Sequence, residues 1–135
     1  KSLTARRDPY RINEMTRRWP GDLYSLLIEF STGYPYAASY AASFVGGRPA
    51  PLDGSAVRER IIRHTVTSKA GTELWGLRFN HPVHIRLAVP LATSGDFIGP
   101  SPFGRAGILF FRSPTDGEHD MLYQSLLAGE LYSFA

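Results

Sequence analysis

Apolar and polar residues alternate along several short stretches of this chain, which is the pattern of strands with one buried face. The clearest stretch covers 83–89, where every second residue is apolar and His84 and Arg86 lie between the apolar positions. Pro90 ends this strand, because proline has no N–H to give to a β-ladder. A second predicted strand covers 72–79, so that only a three-residue turn separates the two.

The same pattern predicts further strands, and little helix. Apolar residues alternate at 24–30, and the stretch 106–111 is apolar on both faces, which indicates a central or an interface strand. Short helices are predicted at 11–18 and at 55–63, the second capped by Ser55. The remaining predicted strands cover 37–45, 121–127 and 131–135. About seven short strands separated by turn residues are typical of an antiparallel sandwich or barrel.

Composition fits a single globular domain. The chain has 135 residues, of which 43% are apolar, enough for a hydrophobic core. It has no cysteine, which excludes a disulfide framework, a thiolate zinc site and a thiol nucleophile. No apolar run approaches the ~20 residues that a membrane-spanning helix needs.

Positive charge is concentrated near the N-terminus. Residues 1–18 carry six Lys or Arg against two acids, a local charge of +4, whereas the other 117 residues carry nine against ten, or −1. A basic arm on a nearly neutral body can bind a polyanion through phosphate neutralisation. The alternative interpretation is a solvated arm that binds nothing.

The chain contains none of the common catalytic motifs. There is no Gly-rich phosphate loop and no G-x-S-x-G elbow. His81 and His84 are three residues apart, which on a strand puts them on opposite faces, so we predict no metal site there. We also predict no cofactor.

His64, Lys69 and Glu73 form a possible general acid–base set. A small basic ribonuclease needs a base for the 2′-hydroxyl, an acid for the leaving oxygen and a cation for the phosphate. A chain with fifteen Lys or Arg, twelve acids and four His also offers such trios by chance. The alternative is therefore that all three are surface residues beside a strand.

The order of segments resembles that of the jelly-roll coat proteins of picorna-like viruses. No single motif carries the resemblance, which rests on order and spacing over about 115 residues. In the first half of the chain the similar segments are Arg17-Arg18-Trp19-Pro20-Gly21-Asp22-Leu23, which precedes a strand C at 23–31, then a strand D at 37–45 and a helix at 55–62. In the second half they are strands E and F at Leu74-Trp75-Gly76-Leu77 and 83–90, the segment Ser94-Gly95-Asp96-Phe97, a strand G at 107–112 followed by Ser113-Pro114, and a strand I that begins at 127–134.

The resemblance implies a fold and a role. The fold would be all-β, an antiparallel β-sandwich of the jelly-roll type with one or two short helices, in which a basic N-terminal arm (1–19) precedes the sandwich domain (20–135). The role would be that of a structural subunit of an icosahedral capsid, assembled in the host cytoplasm and located in the virion. Its partners would be other capsid subunits, of the same and of different chains, and genomic RNA. No catalysis, catalytic residue or cofactor is expected in this role.

The resemblance also implies two sets of contact residues. The arm would bind RNA by non-specific phosphate contacts through Arg6, Arg7, Arg11, Arg17 and Arg18. The Gly- and Pro-rich loops at 46–54 and 94–105 would contact neighbouring subunits through Pro49, Pro51, Phe97, Pro100, Pro102 and Phe103.

Two other functions remain open at this point. One is a small basic ribonuclease toxin that uses His64, Lys69 and Glu73. The other is a β-sandwich module that binds a protein or a glycan, which only the predicted fold class supports.

Overall fold

The computed structural model describes residues 21–51 and 57–135, which form three helices and seven strands. In chain order these are α1 (Tyr24–Thr32), α2 (Tyr36–Phe44), β1 (Arg60–Val66), β2 (Thr72–Glu73), β3 (Leu77–Phe79), β4 (His84–Pro90), β5 (Phe97–Ile98), β6 (Gly107–Ser113), α3 (Asp116–Ala128) and β7 (Tyr132–Phe134). None of the helices in these two ranges is both long and apolar enough to cross a membrane.

The strands form one larger sheet and two small ones, all antiparallel. The larger sheet has the order β1-β6-β4, and the small sheets pair β2 with β5 and β3 with β7. In the larger sheet His64 lies opposite Leu109. The β4–β6 register shifts between Ile85 and Leu87, so that Arg86 is the extra residue of a bulge.

Strand β6 is the centre of the fold because both of its faces are buried. Phe110 and Phe111 are 0% exposed, and successive strand residues point to opposite faces of the sheet. Phe110 packs on the α1 side, with its ring centroid 5.4 Å from that of Phe30. Phe111 packs on the other side, in a cluster that includes Leu122 of α3. The prediction of a central strand at 106–111 is therefore confirmed.

The predicted all-β jelly-roll sandwich is wrong, because the described residues form a mixed α/β fold. The stretch 24–30, predicted as a strand, is helix α1. Its apolar residues also fit the spacing of a helical stripe, and that stripe packs against the Phe110 face of the sheet. The stripe consists of Leu23, Leu26, Leu27 and Phe30.

Three other predicted elements are also wrong. The stretch 37–45 lies largely in α2, since alanine is the strongest helix former. The stretch 121–127 belongs to α3, which begins with a reciprocal capping box between Thr115 and Glu118 and ends at Gly129. The described part of the predicted helix 55–63 contains the start of strand β1 instead, in which successive side chains point to opposite faces of the sheet.

Other predictions are confirmed. The strands predicted at 83–89 and 131–135 correspond to β4 and β7, and the stretch 72–79 divides into β2 and β3. The predicted arm 1–19 and the helix 11–18 lie outside the described residues.

Replacing Phe110 by alanine tests the importance of the central strand. We expect Phe110→Ala to lower the free energy of unfolding by about 3–5 kcal/mol, because it leaves a cavity at a fully buried site. Phe103→Ala is the matched control, because Phe103 is 88% exposed and its loss should change stability by less than about 0.5 kcal/mol. Urea unfolding measures both, and equal losses would contradict the assignment of β6 as the core strand.

Candidate functional site

A cleft of about 360 Å³ lies beside the C-terminal end of α3. Its walls come from β1, from the turn after β1, from the end of α3 and from β7. We call it the His64 cleft. Its polar and turn-forming residues include His64, Thr67, Ser68, Lys69, Gly129 and Tyr132.

Strand alternation brings His64 into this cleft. His64 lies on edge strand β1, on the same face as Val66, which is buried against the α3 side of the sheet. Tyr132 reaches the same place from the other end of the chain, because β7 pairs with β3 and the preceding Leu131 is buried in the core. The β1–β7 contact therefore depends on the packing of the core.

The Tyr132 phenol connects His64 to the backbone of Thr67. The Tyr132 Oη lies 3.0 Å from His64 Nε2, accepts the Thr67 N–H at 3.3 Å and donates to the Thr67 carbonyl at 3.3 Å. A phenol has one hydrogen, so donation to Thr67 leaves its oxygen to accept from an Nε2–H group of His64. In this arrangement the Nδ1 of His64 carries the lone pair and is the basic nitrogen.

Both side chains of this pair are uncharged at neutral pH. Burial, with a smaller contribution from the nearby Arg63 charge, lowers the pKa of His64 to about 4. Burial also raises the pKa of Tyr132, against the opposing effect of its hydrogen bond to the Thr67 backbone. His64 therefore has an unprotonated ring nitrogen at pH 7, and Tyr132 retains its proton.

Lys69 supplies positive charge at the rim of the cleft. Its side chain is exposed, and its Nζ would lie 3.2 Å from a Cβ placed on Gly129. The ammonium is therefore beside the C-terminal end of α3, where the helix dipole favours a cation. Lys69 forms no ion pair with any residue that the structure describes, so its charge is available to an anion.

Glu73, the third member of the predicted set, lies elsewhere. It pairs with Phe97 in the small β2–β5 sheet, and its carboxylate accepts a hydrogen bond from the indole N–H of Trp75 at 3.2 Å. The structure therefore brings together His64 and Lys69 but not Glu73. The group that the sequence did not predict is Tyr132, which lies 68 residues from His64 in the chain and carries no local motif.

The residues predicted to contact other subunits are all exposed. Phe97 is 69% and Phe103 is 88% exposed, and the four prolines of the set (Pro49, Pro51, Pro100 and Pro102) are exposed as well. Their contact with other subunits remains a prediction. The five arginines predicted to bind RNA (Arg6, Arg7, Arg11, Arg17 and Arg18) lie outside the described residues.

No group of three or more His, Cys, Asp or Glu side chains within 21–51 and 57–135 is placed to hold a metal ion. His84 begins β4, and His81 precedes it in the turn after β3. Comparisons of the chain with protein-family models, with curated proteins and with solved structures found no match.

The pH dependence of stability tests the environment of His64. Between about pH 6.5 and pH 4 the unfolded chain binds a proton at His64 that the folded chain does not, so this residue lowers stability as the pH falls through that range. Above pH 6.5 both states are neutral at this site and the effect is absent. We expect the wild type to lose more stability between pH 7 and pH 4 than His64→Gln does.

Urea unfolding at a series of pH values measures this difference, and the acidic groups that both proteins share cancel in the comparison. An NMR titration of the His64 ring with a midpoint near 6.5, or identical pH profiles for the two proteins, would contradict the assigned environment.

Proposed function

We propose that this chain is a ribonuclease that cleaves RNA in the His64 cleft. The observation that carries the proposal is the convergence on one cleft of a neutral imidazole and an ammonium that forms no ion pair within 21–51 and 57–135. Base catalysis needs the first group, and stabilisation of a phosphorane-like transition state needs the second.

Each group has a defined step in this reaction. His64 Nδ1 accepts the proton of a ribose 2′-hydroxyl, and the 2′-oxygen forms a bond to the adjacent phosphorus. The bond from phosphorus to the 5′-oxygen breaks, which gives a 2′,3′-cyclic phosphate and a 5′-hydroxyl. Water protonates the leaving oxygen, and the resulting hydroxide takes the proton from His64. Lys69 neutralises the charge that develops on the phosphate oxygens.

Tyr132 is a positioning residue in this scheme. Its hydrogen bonds to Thr67 fix the phenol, and the phenol fixes the tautomer and orientation of the imidazole. A negatively charged phosphate beside His64 favours its protonated form, so a bound substrate moves the pKa of His64 upward from about 4. The base is therefore strongest when substrate is in place.

The coat-protein role remains a prediction with less support. It rested on a jelly-roll sandwich, and the described residues do not form one. The expectation of no catalysis came from the same resemblance. Of the three residues in the ribonuclease hypothesis, His64 and Lys69 line one cleft and Glu73 does not, so the reaction proposed here uses water in place of a side-chain acid.

Cleavage of RNA by purified protein tests the proposal. We expect the wild type to cleave a fluorescent oligoribonucleotide, and His64→Gln and Lys69→Gln each to lower the rate by about 10²–10⁴-fold, because each removes one catalytic group. His81→Gln and Glu73→Gln are matched controls, since both residues lie outside the cleft, and they should keep wild-type rates. Far-UV circular dichroism confirms that each variant is folded.

The products and the substrate range test the mechanism. A 2′,3′-cyclic phosphate product, with no cleavage of DNA or of 2′-O-methyl RNA, is expected because the nucleophile is the 2′-hydroxyl. Cleavage of the methylated strand would contradict the mechanism. Equal loss of activity in His64→Gln and His81→Gln, or no cleavage by the wild type at micromolar concentration, would overturn the proposal.

A further inference from the structure

A second cleft lies at the opposite edge of the larger sheet and on its other face. Arg112 and Phe110 point to one face of the larger sheet, whereas His64 and Leu109 point to the opposite face. The cleft has a volume of about 470 Å³ and opens beside edge strand β4. We call it the Arg86 cleft. It is lined by Val83, His84, Ile85, Arg86, Arg112 and Pro114.

Backbone geometry places three basic side chains around this cleft. His84 lies directly opposite Arg112 in the ladder. Arg86 is the extra residue of the β4 bulge, and bulges change the direction of a side chain relative to its neighbours on the strand. The three side chains thus come from adjacent strands, and from secondary structure rather than from a loop.

Neighbouring groups hold both guanidinium groups in position. The Cζ of Arg86 lies 5.3 Å from the ring centroid of Phe30, which is a cation–π contact. The Nε of Arg112 lies 3.6 Å from a carboxylate oxygen of Glu59. That distance exceeds a charge-assisted hydrogen bond of about 2.7–2.9 Å, so the pair orients Arg112 without saturating its donors.

Charge in the cleft is positive and only partly compensated. No acidic residue lines it, and Arg86 has no ion pair with any residue in the described ranges. Glu59 is the acidic group within ion-pair distance of Arg112. An anion that entered the cleft would therefore meet two guanidinium groups and an imidazole.

We propose that the Arg86 cleft binds a phosphate group carried on a larger ligand. Guanidinium forks match the paired oxygens of phosphate, and a tetrahedral phosphate presents more oxygens to three donors than a planar carboxylate does. Val83, Ile85 and Pro114 add an apolar wall, which suits a nucleoside or another ring attached to the phosphate. The cleft volume is within the range of about 300–1,000 Å³ that is usual for small-ligand sites.

The phosphate has two possible sources, a terminal monoester of a nucleotide or an internal diester of a nucleic acid strand. This site does not depend on catalysis in the His64 cleft, which lies across the sheet.

Titration calorimetry with defined probes tests the site. The probes are adenosine 5′-monophosphate, adenosine, and a 2′-O-methyl oligoribonucleotide without a terminal phosphate. We expect at least one phosphate-bearing probe to bind at least tenfold more tightly than adenosine. Binding of the monophosphate identifies a monoester ligand, and preferential binding of the oligonucleotide identifies a diester.

Five variants locate the binding. Arg86→Gln and Arg112→Gln should each weaken it by tenfold or more, whereas Arg78→Gln should leave it unchanged, because Arg78 is an exposed arginine on β3 that does not line the cleft. Glu59→Gln should strengthen it, because the variant removes the carboxylate that competes for Arg112. His64→Gln should have no effect on this site.

Several outcomes would overturn the proposal. The first is equal affinity for adenosine and its monophosphate together with no binding of the oligonucleotide. The second is equal weakening of binding by Arg78→Gln and Arg86→Gln. The third is tighter binding of a polyglutamate peptide than of either phosphate probe. Loss of binding in His64→Gln alone would assign the phosphate to the other cleft.

Discussion

Burial of both faces of β6 is the constraint on which the rest of this structure depends. Phe110 and Phe111 are consecutive residues that point in opposite directions, so each needs its own cover. Helix α1 covers one face, and α3 with the small β3–β7 sheet covers the other. A jelly roll would supply that cover with a second sheet, whereas here helices supply most of it. Each fully buried ring contributes about 1.5–3 kcal/mol through the hydrophobic effect.

The two clefts follow from this layered arrangement. The strands at the edges of the larger sheet, β1 and β4, each have one side without a neighbouring strand in that sheet. The cover on each face ends near these edges and leaves a concave surface. His64 lies at one edge on the α3 face, and Arg86 lies at the other edge on the α1 face. The two clefts are therefore separated by the sheet.

The sequence correctly predicted the elements whose hydrophobic pattern fits one kind of secondary structure. It gave the wrong element where the pattern fits both a helix and a strand. The strand at 83–89 alternates without a competing helical stripe, and 106–111 is apolar throughout, so both predictions are correct. The 24–30 stretch fits both periods, because Leu26 and Leu27 are adjacent, and tertiary packing selects the helix. The Thr115–Glu118 capping box was readable in the sequence, yet the short apolar run after it suggested a strand. The sequence predicted His64, Lys69 and Glu73 as one set from their residue types, and only the first two line the same cleft, whereas the approach of Tyr132 is non-local and has no sequence signal.

Gly129 connects the end of a helix to the chemistry of the His64 cleft. Its φ of +72° is in the left-handed region, where most residues with a side chain cost roughly 1–2 kcal/mol. The absence of a side chain there also lets the Lys69 side chain approach closely, since its Nζ would lie only 3.2 Å from a Cβ at this position. A substitution at this position would therefore strain the end of α3 and press on the Lys69 side chain at the same time. The geometry of the helix end and the placement of the cation thus depend on the same residue.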